Sequence, residues 1–255
     1  MRFIFLGTGA AGGVPLYGCH CRACKDACVD HELERQPCCA LIETGTTRIL
    51  LDAGLMDLHR RFPPGTLDAI LLTHFHPDHV QGLFHLRWGA GEKIPVRHPE
   101  DSEGCSDLYR HPGLLSYQAV RGLSPFVIGD LKITPIPLIH SKPTLGYAIE
   151  GPRGERLAYL ADTRGAPAES FAFLRAWGEF CLVLDCTLPT IHESLNHNDW
   201  NSALACVEEL QPVRAWFTHI DHSLDDWLLT STPRRPENIF IAADGQVVDI
   251  QPVAK

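Results

Sequence analysis

The sequence predicts an α/β chain of two sheets packed face to face, with helices outside. Three observations carry this. Short apolar, strand-like runs recur along all 255 residues, helical patterns are few, and aspartates and histidines stand repeatedly right after the strand runs. A length of 255 with 45% hydrophobic residues is ample for one substantial core, so a single domain spanning 1–255 is expected.

Taken in order, the first strand run is Phe3–Leu6, which ends at a glycine-rich stretch. Ala40–Glu43 and Arg48–Asp52 follow, joined by Glu-Thr-Gly-Thr-Thr, which reads as a hairpin turn. Ala69–Thr73 is the next run, and within it Ile70–Leu72 read as a buried strand end. A helix opens over His79–Phe84. Four runs come after it, Phe126–Ile128, Leu131–Pro135, Gly146–Glu150 and Leu157–Ala161. Ala168–Trp177 has helical periodicity, and Cys181–Leu184 returns to strand. Asn198–Leu210 is a third helix, capped by Asn198 or Asp199. Ala215–Thr218, Ile239–Ala242 and Val247–Ile250 complete the set, the last two separated by Ala-Asp-Gly-Gln, which again reads as a hairpin turn. No internal repeat, low-complexity tract or long linker interrupts the series.

The polar residues that close these runs are Asp52, His74, His140, Asp162, Asp185 and His219. Strand ends in layered α/β folds are where sites are assembled from distant sequence. Residues 73–79, Thr-His-Phe-His-Pro-Asp-His, place three histidines and a carboxylate within six positions, in an H-x-H-x-D-H pattern. Imidazole and carboxylate suit zinc, manganese and iron. Four such groups exceed what one ion takes from so short a segment, which points to two metals side by side. With His140, Asp162 and His219 the count reaches seven ligands. His74, His76 and His140 are expected to hold one ion and Asp78, His79 and His219 the other, with Asp162 bridging through its two oxygens. Two ions about 3.5–4 Å apart lower the pKa of a water between them and clamp an in-line displacement. Asp52 is expected to orient a ligand histidine by hydrogen bond.

Ten cysteines are many for a chain with no secretory leader pattern in Met1–Gly13 and no run near the ~18 apolar residues of a membrane span. A cytoplasmic chain with reduced thiols is expected, in which clustered cysteines hold metal. Cys19, Cys21 and Cys24 form a C-x-C-x2-C knot within a loop at about 19–39. Three thiolates want a fourth partner around a structural zinc. Cys28, Cys38, Cys39, His20 and the distant His222 are all open choices.

The net charge of -9 argues against a broad electrostatic grip on nucleic acid. It is compatible with a small anionic substrate, because metal charge dominates a local pocket.

These residues resemble the metallo-β-lactamase superfamily, which implies an αββα sandwich of two mixed sheets with helices outside. Within it, a more specific set is similar to the phosphoribosyl 1,2-cyclic phosphate phosphodiesterases of the carbon–phosphorus lyase pathway. That set comprises Gly-Thr-Gly-Ala-Ala-Gly-Gly-Val-Pro at 7–15, the cysteine knot, the metal run continued as Val-Gln-Gly-Leu, His-Pro-Gly-Leu-Leu at 111–115, His-Ser-Lys at 140–142, Asn-His-Asn-Asp at 196–199 and Thr-His-Ile-Asp-His at 218–222. The resemblance runs over about residues 1–250. It implies a dinuclear site of manganese or a similar divalent ion (zinc, iron and nickel accept the same ligands), with the seven ligands above. It also implies a structural zinc on Cys19, Cys21, Cys24 and His222, and a homodimer. The implied reaction is hydrolysis of 5-phosphoribosyl 1,2-cyclic phosphate to ribose 1,5-bisphosphate. His197 assists it, as general acid to the leaving alkoxide, beside Asp78 in the metal site. Ser141 and Lys142, next to His140, and Arg164, after Asp162, are candidate phosphate contacts.

Other readings remain. An RNA 3′-end processing nuclease shares the metal run but calls for a basic surface. Thioester and β-lactam hydrolases share the metals, which alone do not choose a substrate. Di-iron redox relatives prefer a glutamate where His76 stands. A zinc-dependent scaffold protein would need no more than the cysteine knot.

Overall fold

The structure, a computed structural model, describes residues 1–190 and 196–252. One sheet contains Arg2–Gly7 (β1), Cys39–Glu43 (β2), Arg48–Leu51 (β3), Ala69–Leu71 (β4), Ile94–Pro99 (β5), Leu115–Val120 (β6) and Val247–Asp249 (β14). The other contains Phe126–Ile128 (β7), Leu131–Pro137 (β8), Leu145–Glu150 (β9), Arg156–Leu160 (β10), Cys181–Asp185 (β11), Arg214–Thr218 (β12) and Ile239–Ile241 (β13). Their orders are β14-β1-β2-β3-β4-β5-β6 and β13-β12-β11-β10-β9-β8-β7. Both sheets are mixed: β3 to β6 and β10 to β13 run parallel, and the other pairings are antiparallel.

Side-chain alternation sorts the apolar residues into layers. Ile49 and Leu51 point into the space between the sheets, where they meet Phe3, Phe5, Tyr147, Tyr159 and Trp216. Leu50 points the other way, onto the outer face of the first sheet, with Ile70, Leu72 and Val96. Arg22–Ala27 (α1) lies between β1 and β2 in sequence, and the outer face of the first sheet is covered by Leu58–Arg61 (α2), Pro77–Val80 (α3), Leu83–Leu86 (α4) and Ser106–Arg110 (α5). The outer face of the second sheet, with Leu160, Leu182, Leu184 and Phe217, is covered by Ala168–Ala176 (α6), Trp200–Leu210 (α7) and His222–Ser231 (α8). The parallel strands β4 and β11 are therefore buried on both faces, which is why they read as continuous apolar runs. Leu50→Ala is expected to destabilise the fold by about 2–5 kcal/mol through the lost methyl groups and the cavity left behind. Denaturant unfolding at an unchanged m-value measures it, and a loss below about 1 kcal/mol would contradict the layer assignment.

The predicted fold class matches this architecture, with differences in detail. Strands β5 and β6 have no counterpart in the sequence reading: β5 contains Pro95 and Pro99, and β6 is a half-exposed edge strand. The helix expected from His79 is two short helices, α3 and α4. The Ala-Asp-Gly-Gln turn is not a hairpin. It carries the chain from β13 in one sheet to β14 in the other. Asp244 in that turn accepts from the backbone N–H and hydroxyl of Thr8 (2.8 and 2.6 Å) and from Gln36 N–H (2.7 Å), which stitches the crossing to β1 and the following loop. Of the two cap choices for α7, Asp199 is the cap, and it forms a reciprocal capping box with Ser202.

Candidate metal centre

The predicted ligands all emerge from the same end of the sandwich, just past the ends of β3, β4, β8, β10 and β12. Sharp turns aim them. Asp52, Asp162 and His219 have φ of 57°, 56° and 60°, in the left-handed region that aspartate tolerates better than most side chains. Gly54 lets the loop after Asp52 press against the metal run, since a Cβ there would lie 2.4 Å from the Asp78 carbonyl oxygen.

The ligand atoms gather into two groups. One atom each from His74, His76, His140 and Asp162 lies within 4.8 Å of the others, and the same holds for Asp78, His79, Asp162 and His219. Asp162 belongs to both. Its Oδ2 is 3.6 Å from His74 Nε2 and 3.2 Å from His79 Nε2, and its Oδ1 is 3.1 Å from His219 Nε2. Asp78 Oδ2 lies 3.3 Å from His79 Nε2 and 3.6 Å from His219 Nε2. His76 Nδ1 is 2.7 Å from His74 Nε2 and 3.1 Å from His140 Nε2.

The rings are held from behind. His79 Nδ1 contacts Asp52 Oδ2 at 2.9 Å, His219 Nδ1 contacts Thr187 Oγ1 at 2.9 Å, His140 Nδ1 donates to the Asn196 carbonyl at 3.0 Å, and His74 Nδ1 contacts Thr73 Oγ1 at 3.0 Å. Each of these four therefore turns Nε2 inward, as metal-ligating imidazoles do. Asp52 also accepts from Thr73 N–H at 2.8 Å and from the Thr73 hydroxyl, so it fixes both a ligand ring and the start of the metal run.

Whether these residues fit divalent ions is tested by their unsatisfied atoms. His79 Nε2, His219 Nε2 and Asp162 Oδ1 are buried without a hydrogen-bond partner among the described residues. Lone pairs converging on a common point without donors are costly unless a cation sits among them. Protonation states agree. Burial keeps His74 well below its ordinary pKa, with the charge of His79 adding to the effect. Burial lowers His76 and His140 as well. For Asp162 burial works against the charge, but His219 and His79 prevail and hold it ionised well below the usual carboxylate range. Asp78 is likewise lowered by His219 and His79 against its burial. His79 is pushed well above its usual value, because Asp162 and Asp52 outweigh burial; the carboxylates that suit a cation hold a proton there. The donor set thus fits two divalent cations sharing Asp162.

His197 lies at the side of this centre. Its ring stacks on His219 at 4.8 Å between centroids, and its Nδ1 is 2.8 Å from Asp185 Oδ2. Burial disfavours its charged form, but the Asp185 carboxylate outweighs that and raises its pKa to about 9. Asp185 also accepts from Thr163 N–H and from the Thr187 hydroxyl, so one buried carboxylate braces His197 directly and His219 through Thr187. The sequence marks Asp185 as a strand-end residue but not as the partner of His197. Of the candidate phosphate contacts, Ser141 and Arg164 are exposed and Lys142 is partly buried. Arg164 N–H donates to the Ile139 carbonyl at 3.1 Å, which puts all three on one rim.

The cysteine knot closes on α8. Ligand atoms of Cys19, Cys21, Cys24 and His222 lie within 4.8 Å of one another, with His222 Nδ1 3.4 Å from Cys19 Sγ and 3.7 Å from Cys21 Sγ. The other choices for fourth ligand lie elsewhere: Cys28 and His20 are exposed, Cys38 packs on the Tyr159 hydroxyl and Cys39 donates to the Asp52 carbonyl. Burial pushes the Cys24 thiol up to about 12, so its thiolate calls for a cation. This set fits a tetrahedral structural zinc. Cys24→Ser is expected to lower zinc content by one equivalent per chain and stability by at least about 2 kcal/mol. Unchanged zinc in elemental analysis would refute the knot as a zinc site.

Comparison with known proteins decides the family. Residues 47–220, which include the metal run and the other residues of the two converging donor sets, match the model of the beta-lactamase superfamily domain. The chain belongs to the metallo-β-lactamase superfamily. A diphosphatase of the PhnP family has the same fold, with a TM-score of 0.81 at 26% identity over 97% of both chains. An octanoyltransferase of Porphyromonas gingivalis is 34% identical over 87% of this chain. A ribonuclease Z of Methanopyrus kandleri is 33% identical over 44% of it. The chain spans 46% and 43% of the lengths of these two relatives. The superfamily and the likeness to the PhnP-family diphosphatase thus rest on both sequence and fold. None of its described helices is long and apolar enough to cross a membrane.

Proposed function

We propose that this protein is a dinuclear, metal-dependent phosphodiesterase that hydrolyses 5-phosphoribosyl 1,2-cyclic phosphate to ribose 1,5-bisphosphate. The observation that carries this reading is Asp162, shared between two sets of converging ligand atoms, with a carboxylate-braced His197 beside them. The likeness to a diphosphatase supports it, because anhydride and diester hydrolysis are both displacements at phosphorus. Two divalent cations held in this centre, probed first as manganese, supply Lewis acidity and a nucleophile at neutral pH. The chain does the rest. Asp52, Thr187 and the Asn196 carbonyl fix the ring orientations. Asp185 engages Nδ1 of His197, and the imidazole so braced acts as the acid that protonates the departing alkoxide. Ser141, Lys142 and Arg164 bind phosphate oxygens at the rim.

Bis-p-nitrophenyl phosphate with added manganese tests for diesterase activity, and phosphorus NMR of the product from the cyclic ribose phosphate tests the substrate. Turnover of neither ester by the metal-loaded chain would overturn the proposal. The ribonuclease Z relative favours a second reading, an RNA 3′-end nuclease. The net charge of -9 weighs against it, and a salt-dependent tRNA affinity would revive it.

A further inference from the structure

The metal run and the 140–142 segment border a third element, the loop after β5. Leu72 N–H donates to the Arg97 carbonyl, so the end of β5 lies beside the start of the metal run. Phe75, inside that run, packs edge-on against Tyr109 at 5.3 Å, and the Tyr109 hydroxyl donates to the Asp101 carbonyl. The Asp101 side chain is 5% exposed. Its Oδ1 accepts from the N–H groups of Glu103 and Gly104, both at 2.9 Å, which fixes the carboxylate. Its Oδ2 is buried with no hydrogen-bond donor among the described residues, and it faces the Lys142 ammonium at 3.8 Å.

We propose that Asp101 is a positioning residue that holds the Lys142 ammonium at the His140 edge of the site to bind a second, non-reacting phosphate of the substrate. The inference rests on the phosphodiesterase reading and assigns the non-reacting 5-phosphate of that substrate to the Lys142 edge of the site. A separation of 3.8 Å is an ion pair rather than a hydrogen bond, so the three N–H donors of the ammonium are not used up by Asp101. A lysine held in place before binding avoids the ordering cost that a free four-carbon stem would incur on contact. The Thr144 hydroxyl donates to the Lys142 carbonyl at 2.8 Å, which steadies the backbone as well.

The test compares ribose 1,2-cyclic phosphate with and without its 5-phosphate, using Asp101→Asn, Lys142→Ala and the double variant. In each single variant the preference in kcat/KM for the 5-phosphorylated ester is expected to fall by about tenfold or more, the scale of one charge-assisted hydrogen bond. The loss should lie in KM rather than kcat. The double variant should lose no more than Lys142→Ala, and Asp101→Glu should recover part of the preference. Asn at 101 still offers an oxygen to Glu103 and Gly104, and Lys142→Ala tests the phosphate contact on its own if the loop fails to form. A lower KM in Asp101→Asn would mean that the carboxylate repels phosphate, and an equal shift for both esters would mean general loosening; either overturns the inference. If the wild-type chain turns over neither ester, the underlying reading fails and takes this inference with it. If it turns over both and the variants leave the preference unmoved, the inference alone fails.

Discussion

Asp162→Asn is expected to lower phosphodiester turnover by about 10³-fold or more while leaving the fold intact. The carboxylate is the one group common to both sets of ligand atoms, and it is 1% exposed. An amide keeps the shape but removes the negative charge and turns one ligand oxygen into a donor that faces ring nitrogens. Removing a single electrostatic stabiliser of the transition state costs about 10²–10³-fold in other enzymes. In the proposed dinuclear site the loss would also disturb the seating of both cations, so the effect should reach beyond that range. The backbone at 162 is left-handed, at φ 56°, and asparagine adopts that conformation readily, so misfolding does not explain the outcome. Metal content by elemental analysis should fall from two ions at this centre to one or none. Turnover within tenfold of wild type, with both ions retained, would refute the shared-carboxylate arrangement.

His197→Ala is expected to reduce kcat by about 10²–10⁴-fold, the usual contribution of a positioned general acid. Its mark is separation of function, because metal content and KM should stay near wild type. Asp185 loses one partner in this variant but keeps Thr163 N–H and the Thr187 hydroxyl, so the buried carboxylate is not stranded. The effect should shrink for esters with a good leaving group such as p-nitrophenolate, which departs without a proton. An unchanged kcat on the cyclic ribose ester would remove His197 from the chemistry.

The convergence of the metal-site donors was legible because a charged group is costly on the core face of a buried strand. An aspartate or histidine right after an apolar run therefore marks the place where a strand leaves the core, and Asp52, His140, Asp162 and His219 all obey this. The cysteine knot was legible by spacing, but spacing left its fourth partner among several choices and only the family resemblance pointed to His222, which is 198 positions from Cys24 in sequence and adjacent in space. The same limit hid the pairing of Asp185 with His197 and the bond network around Thr73 and Thr187. Strand β5 was obscured by its two prolines. Helix α8 was obscured by a weak pattern, with Leu224 its one buried side chain among the described residues. The crossing at Ala-Asp-Gly-Gln misled because a turn sequence specifies a sharp reversal, not which sheet receives the strand.

That crossing has a consequence for solubility. By delivering β14 to the free side of β1, it covers a longer strand that would otherwise present unpaired amides to any passing chain. The replacement border is three residues long, preceded by Gln246 and ending in Asp249, too short to template the growth of a foreign strand. A change that disturbed Asp244 would release this guard and open a route to edge-to-edge aggregation.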